Sequence, residues 1–384
     1  RNEMAVENYS QDFLLILLAF TAITMLLINP IYAWLASRSN LKKIIIYCYS
    51  FLILNLFGFL IYSKSLNENN ITEVIWLGRI FYVWCNIYSF FVVSIFWVLV
   101  INIFRNTKSR KLYGFIMAGG SLGAIFGSEI SVRLSDSFTN SGLEFFVLSA
   151  SILLFCAMLI AIYISNSNKN SNLSSKVGGN WSDAINNIIT VKEIRTIASY
   201  SWLFTILMTI QWISAIPIIE SYSDLSPQRI ELFGRIEQLV SPLTLFTQLC
   251  LTYIVIAAFG IKLILIVYGL LFVIVFLLYG LAPSVGVVVF AQALLRVFEY
   301  GFNKPSREII YSELGKKDRY KSSVFIDTFV TRFGDLTGSL FMAFGKLSSI
   351  TATFMPLLAI PLAGFLSIAG LKIAKNSSKK AKDL

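Results

Sequence analysis

A chain of 384 residues that is 56% hydrophobic and only 14% charged has more apolar side chain than one water-soluble core can hide. It contains no histidine, which excludes imidazole metal sites and every Ser-His or Cys-His catalytic arrangement. The formal charge of +11 lies in short segments between apolar runs, the pattern of cytoplasmic loops and not of a nucleic-acid-binding face.

The apolar runs are about 20 residues long, enough to cross a ~30 Å hydrocarbon layer as helices, and far longer than the roughly ten-residue alternating strands of an outer-membrane barrel. They predict an all-α polytopic membrane protein with spans at 11–36, 44–63, 73–102, 112–133, 143–164, 197–220, 236–259, 261–281, 286–311, 323–345 and 350–373. Cys48, Cys85, Cys156 and Cys250 fall inside these runs at unpatterned spacing, so they read as reduced packing residues. No cofactor motif, metal cluster or nucleophile–base pair is present in the sequence, which argues against an enzyme.

Loop charge sets the orientation. Arg38, Lys42 and Lys43 follow the first span, Arg105, Lys108, Arg110 and Lys111 the third, and Lys316, Lys317, Arg319 and Lys321 the ninth; the tail carries Lys372, Lys375, Lys379, Lys380 and Lys382. The alternate loops, SKSLNENNITE among them, are neutral or acidic. The C-terminus is therefore expected in the cytoplasm and the visible N-terminus outside. With arginine at position 1, this predicts a twelfth span upstream of the eleven visible; a start at Met4 with eleven spans is the alternative. The Asn/Ser-rich stretch SNSNKNSNLSSKVGGNWSDAINN reads as a linker. It divides the chain into an N-terminal bundle (1–164), a cytoplasmic linker (165–195) and a C-terminal six-helix bundle (196–384), the two-bundle layout of major facilitator transporters.

Polar residues inside the spans are costly and mark candidate sites. In span three, GRIFYVWCNIYSF aligns Arg79, Tyr82, Asn86 and Ser89 on one stripe, facing a cavity or, for Arg79, snorkelling to the headgroups. In span four, AGGSLGAIFGSEISVRL places Gly119, Gly123 and Gly127 at i+4 steps, the spacing of close helix packing. In span seven, Glu237, Ser241, Thr244, Gln248 and Thr252 follow one face of a helix that Pro242 bends; Ser241 and Thr244 are expected to hydrogen-bond to neighbouring helices. The densest region is LLRVFEYGFNKPSREIIYSELGKKDRYKSSVFIDTFVTRFGDLTGS. There Arg296, Tyr300 and Lys304 share one face, and Glu299, Asn303 and Arg307 the next. Asp327, Thr331 and Asp335 follow at i+4 steps, with Arg332 close enough to pair with Asp335. Arg307, Glu308, Arg319 and Lys321 read as a cytoplasmic charge latch, and Arg296, Lys304 and Arg332 as facing an anion.

Five segments together resemble bacterial relatives of the nucleotide (ATP:ADP) transporters of intracellular bacteria and plastids, within the facilitator superfamily. They are NPIYAWLASR at 29–38, FYVWCNIYSFFVVSIFW at 81–97, KLYGFIMAGGSLGAIFGS at 111–128, RIELFGRIEQLVSPLTLFTQ at 229–248 and the block from Arg296 to Asp335. The resemblance implies a span upstream of Arg1 and an anionic, phosphorylated substrate. Where the exchangers carry Arg-x-Gly-Lys, this chain has Asp335 in place of the lysine.

The expected function is a multi-pass transporter of a bacterial inner membrane that moves an anionic small molecule, a nucleotide or phosphorylated metabolite, by alternating access. Arg79, Tyr82, Asn86, Gln248, Arg296, Lys304 and Arg332 would bind the substrate. Glu237, Glu299, Arg307, Asp327 and Asp335 would form a charge network or couple a proton or counter-substrate. A facilitator-like protein that no longer transports, and an exporter of amphiphilic lipid or drug, are the alternatives. The first would show its charges mutually paired in a dry bundle.

Overall fold

The computed structural model describes residues 16–28, 41–65, 71–103, 112–134, 142–167, 189–313, 325–351 and 354–380, apart from Leu18 and Ser349. Among the described residues every regular element is a helix: α1 (Ala19–Ile28), α2 (Leu41–Ser65), α3 (Ile71–Ile103), α4 (Leu112–Leu134), α5 (Gly142–Ser167), α6 (Lys192–Glu220), α7 (Ser226–Phe246), α8 (Thr252–Leu281), α9 (Val285–Phe298), α10 (Lys304–Glu313), α11 (Thr331–Leu347), α12 (Met355–Leu358) and α13 (Ile360–Lys380). Three π-helical turns interrupt them: Thr247–Leu251 joins α7 to α8, Glu299–Asn303 joins α9 to α10, and Ile326–Val330 leads into α11. The linker, Arg319 and Lys321 lie largely or wholly outside the described residues.

Among the described residues the helices follow the predicted spans with two clear shifts: the last, expected at 350–373, is α12 and α13 and runs on to Lys380, and the seventh starts early. The seventh begins at Ser226, because hydropathy marks hydrocarbon and this helix starts with a charged amphipathic end; Arg229 there donates to Ser223 O at 2.8 Å. The apolar stretch Ser226–Leu281 has 56 residues, and as one straight rod it would be about 84 Å long, more than twice the hydrocarbon thickness. Gly260, at φ 73° and ψ 164°, breaks it into two spans at a conformation that only glycine adopts cheaply.

Two apolar cores form. One joins α2, α3 and α5 through Ile45, Tyr49, Leu52, Ile95 and Leu154. The other fills the C-terminal helices around the fully buried Tyr200, Tyr268, Phe272, Phe276 and Tyr279, and it also takes in Leu17, Tyr82 and Val83 from the N-terminal half. Phe51, Leu54 and Ile61 on α2 and Ile152, Leu153 and Ile160 on α5 are instead more than half exposed. A surface of that kind is costly in water and at rest in lipid, as befits a multi-pass membrane protein.

Close helix contact occurs elsewhere than the glycine spacing of α4 predicts. Gly119, Gly123 and Gly127 are exposed, and among the described residues nothing lies within 4 Å of where a Cβ would stand. Gly334 and Gly338 on α11, at the same i+4 spacing, do mediate a tight crossing with α6: a Cβ on Gly338 would sit 2.9 Å from Thr209 Cβ and 3.0 Å from the Ile206 carbonyl. Sequence spacing alone does not say which small-residue stripe has a partner. Gly338→Ala should therefore lower the thermal midpoint in detergent or nanodiscs, costing about 1–3 kcal/mol of overpacking against a helix-propensity gain of about 1 kcal/mol. Gly123→Ala should not lower it. Equal effects would show that the α6–α11 crossing is not tight.

Candidate functional site

The site is built around a backbone break. In the Glu299–Asn303 turn the Lys304 N–H bonds to Glu299 O, one residue further back than in an α-helix. Tyr300 O thus loses its usual donor, and the next residue, Pro305, has no N–H to offer it or to offer Gly301 O. Inside a bilayer such carbonyls must find protein donors. Gln248 Nε2 reaches Tyr300 O at 3.3 Å, and Thr252 Oγ1 donates to Gly301 O at 2.6 Å. Residue 301 has to be glycine here, because a Cβ would lie 2.4 Å from Thr247 Cγ2 on the facing π turn.

The break organises a buried polar network below it. Arg307 and Glu299 pair at 2.6 Å with both side chains only 7% exposed. Asn303 donates to Glu299 and accepts from the Tyr200 hydroxyl at 2.7 Å. Arg307 also donates to Ser201 Oγ at 3.3 Å, lies 3.8 Å from the half-exposed Asp327, and stacks 5.1 Å from the Phe204 ring centre. Lys304, within electrostatic reach of Asp327, packs 6.0 Å from the Tyr300 ring. Glu299, Asn303 and Arg307 thus do share one face; of the expected latch residues Arg307 is buried, Glu308 is exposed, and Arg319 and Lys321 lie outside the described residues.

Two further ion pairs are partly open. Arg296 on α9 forms a bidentate pair with Glu237 on α7, its second contact 3.1 Å long, with side chains 26% and 32% exposed. The pair borders a cavity of about 20 Å³, room for a water or two, with Trp212, Phe233 and Gln292 in its wall. Gln292 donates to Gln211 at 3.4 Å, and Gln211 to the Tyr279 hydroxyl at 2.8 Å. Arg332 pairs with Asp335 at 2.7 Å, and Thr209 on α6 donates to the same carboxylate at 3.0 Å. The expected interhelical bonds of Ser241 and Thr244 are not made: Ser241 donates to Glu237 in its own helix at 3.5 Å, and the buried Thr244 hydroxyl has no hydrogen-bond partner among the described residues.

The N-terminal stripe divides. Arg79 lies 4.9 Å over the Trp76 ring, Tyr82 is 4% exposed in the shared core, and the Asn86 amide donates back to Tyr82 O at 2.9 Å. Gln248, another expected substrate contact, has its amide engaged by Tyr300 O and Ser121. Tyr200, Ser201, Thr209, Gln211 and Gln292 went unnoticed in the sequence, being uncharged residues scattered through apolar helices. The only available signal was the recurrence of polar residues on α6.

Removing one member of the buried Arg307–Glu299 pair strands the other. Glu299→Leu should cost about 3–5 kcal/mol of stability, and Glu299→Leu with Arg307→Met should recover most of it. Unfolding in detergent checks both; a harmless single variant would show that the pair is not sequestered.

No protein-family model matches the chain, and no curated protein sequence matches it. Solved structures do. The crystal structure of the nucleoside transporter NupG aligns with a TM-score of 0.61 at 13% identity, covering 97% of this chain and 93% of that one. A point mutant of NupG gives 0.58 at 13% identity, with 97% and 90% covered. A bacterial homologue of the iron transporter ferroportin, in an outward-facing state with soaked iron, gives 0.61 at 14%, with 97% and 93% covered. The chain thus shares the all-α polytopic fold of these solved membrane-protein structures.

Proposed function

We propose that this protein is a membrane transporter of the major facilitator type that moves an anionic solute, a nucleotide or phosphorylated metabolite, by alternating access between its two halves. The observation that carries the reading is the Arg296–Glu237 pair, which links two helices, is about one-quarter to one-third exposed, and borders a cavity beside Trp212 and Phe233. In a membrane a guanidinium so placed is costly unless an anion meets it. Glu237 meets it in the empty state, and an incoming phosphate or carboxylate would take its place bidentately. Released, Glu237 keeps Ser241 as a partner.

Lys304 and Arg332 would add positive charge along the same path, with Asp335 and Thr209 holding Arg332 in place. Asp327, half-exposed and 3.8 Å from Arg307, would exchange a proton or counter-ion. Aromatic rings beside Arg296 suit a base or other flat ring, and the structural likeness to a nucleoside transporter is in keeping with that. The resemblance of the sequence to nucleotide transporters adds the phosphate.

One observation favours the second reading, a facilitator-like protein that does not transport. The three ionic groups centred on Arg296, Arg307 and Arg332 each contain their own carboxylate. Only the Arg307 pair is sealed, however, and the other two retain an open edge.

Reconstituted protein should gain thermal stability with nucleotides or sugar phosphates and take up the same compounds. A charge-assisted contact contributes about 1.5–3 kcal/mol, so Arg296→Ala should weaken binding about ten- to a hundredfold. Glu237→Gln, which frees the guanidinium, should tighten it. Binding indifferent to both substitutions would remove Arg296 from the site, and silence across the whole anion panel would favour the non-transporting reading.

A further inference from the structure

Two hydrogen bonds link α4, in the N-terminal half, to the α7–π–α8 segment of the C-terminal half. Gln238 Nε2 donates to Glu129 Oε2 at 2.7 Å, and Ser121 Oγ donates to Gln248 Oε1 at 3.2 Å. The two differ in where they lead. The Gln238 bond runs on, through Glu129, only to the exposed Arg133 of α4 itself, whereas Gln248 passes on to Tyr300 O, a carbonyl orphaned by the π turn and Pro305. The direction of the chain is forced: a carbonyl only accepts, so the Gln248 NH2 group faces Tyr300 and its oxygen faces Ser121, which must donate. Thr247 and Thr252, which flank Gln248, grip the neighbouring Gly301.

We propose that Gln248 is a relay that ties the position of α4 to the backbone register of the charged helix α9–α10. The π turn holds one residue more than an α-helical turn, and displacing it by one residue would rotate the intervening side chains by about 100°. Glu299, Asn303 and Lys304 lie within or beside that turn, so its position decides which of them face inward. While α4 rests against α7, Ser121 holds the Gln248 amide in line with Tyr300 O and the turn stays where it is. When α4 moves away, the amide is free to rotate, Tyr300 O loses its donor, and the turn is released. A rigid-body movement between the halves thereby reaches the charged side chains through one amide. The inference does not depend on what the protein carries, and it adds to the alternating-access reading a physical link between the interface and the charges.

Hydrogen–deuterium exchange of the full chain in nanodiscs tests it. Ser121→Ala, a change in the other half of the molecule, should speed exchange of the amides of 301–307 about fivefold, the effect of losing one modest hydrogen bond. Gln238→Ala, which removes the interface bond that leads back only to α4, should leave those amides unchanged. Gln248→Glu keeps the shape but turns an acceptor toward an acceptor, so it should release the turn at least as much as Ser121→Ala. Adding Ser121→Ala to Gln248→Glu should change nothing further, because one chain is cut only once. No effect of Ser121→Ala at 301–307, an equal effect of Gln238→Ala, or additive effects in the double variant would each overturn the relay.

Discussion

A bilayer offers no water to a freed carbonyl or a bare charge, and the polar part of this molecule follows from that one constraint. Pro305 removes a donor from the middle of a span, and the π turn at Glu299–Asn303 displaces another. Gln248 and Thr252 must therefore come from the adjoining span to answer Tyr300 and Gly301, and a second π turn at Thr247–Leu251 brings them there. The third π turn, Ile326–Val330, follows the same logic: the Thr331 N–H goes back to Ile326 O, and its hydroxyl takes Asp327 O at 2.7 Å. Among the described residues each π turn thus has a side-chain donor on one of its carbonyls.

The charges obey the same rule at two depths. Arg307 and Glu299 are sealed together and serve the shape of the C-terminal half. Arg296 with Glu237, and Arg332 with Asp335, are paired but partly exposed. On the proposed function an anion carrier needs groups of the second kind, since a cation with a replaceable partner can stay in the membrane between substrates.

Much of this was legible in the sequence. Hydropathy located the spans, and Gly260 between two apolar runs marked the break in the long Ser226–Leu281 stretch. Helical periodicity grouped Glu299, Asn303 and Arg307 and paired Arg332 with Asp335, because those contacts lie within one helix or its continuation. The Arg296–Glu237 pair was not legible, although both residues stood out, since 59 positions separate them and no local rule joins them. The glycine stripes show the limit most clearly. Gly119, Gly123 and Gly127 have the same spacing as Gly334 and Gly338, and only tertiary placement tells an open face from a tight crossing. The π turns were hidden too: Pro305 signalled a break, but not that Gln248 and Thr252 would repair it.

On the proposed function the Arg296 guanidinium is a replaceable anion site open to water. The most direct measurement places a thiol beside it, as Glu237→Cys in a chain whose four native cysteines are replaced by serine, and compares its reaction with anionic and cationic methanethiosulfonates. If Arg296 faces an aqueous anion path, the anionic reagent reacts faster, and a bound phosphorylated solute slows it. A thiol that neither reagent reaches, or that prefers the cationic one, would contradict the account and make the Arg296–Glu237 pair a structural strut.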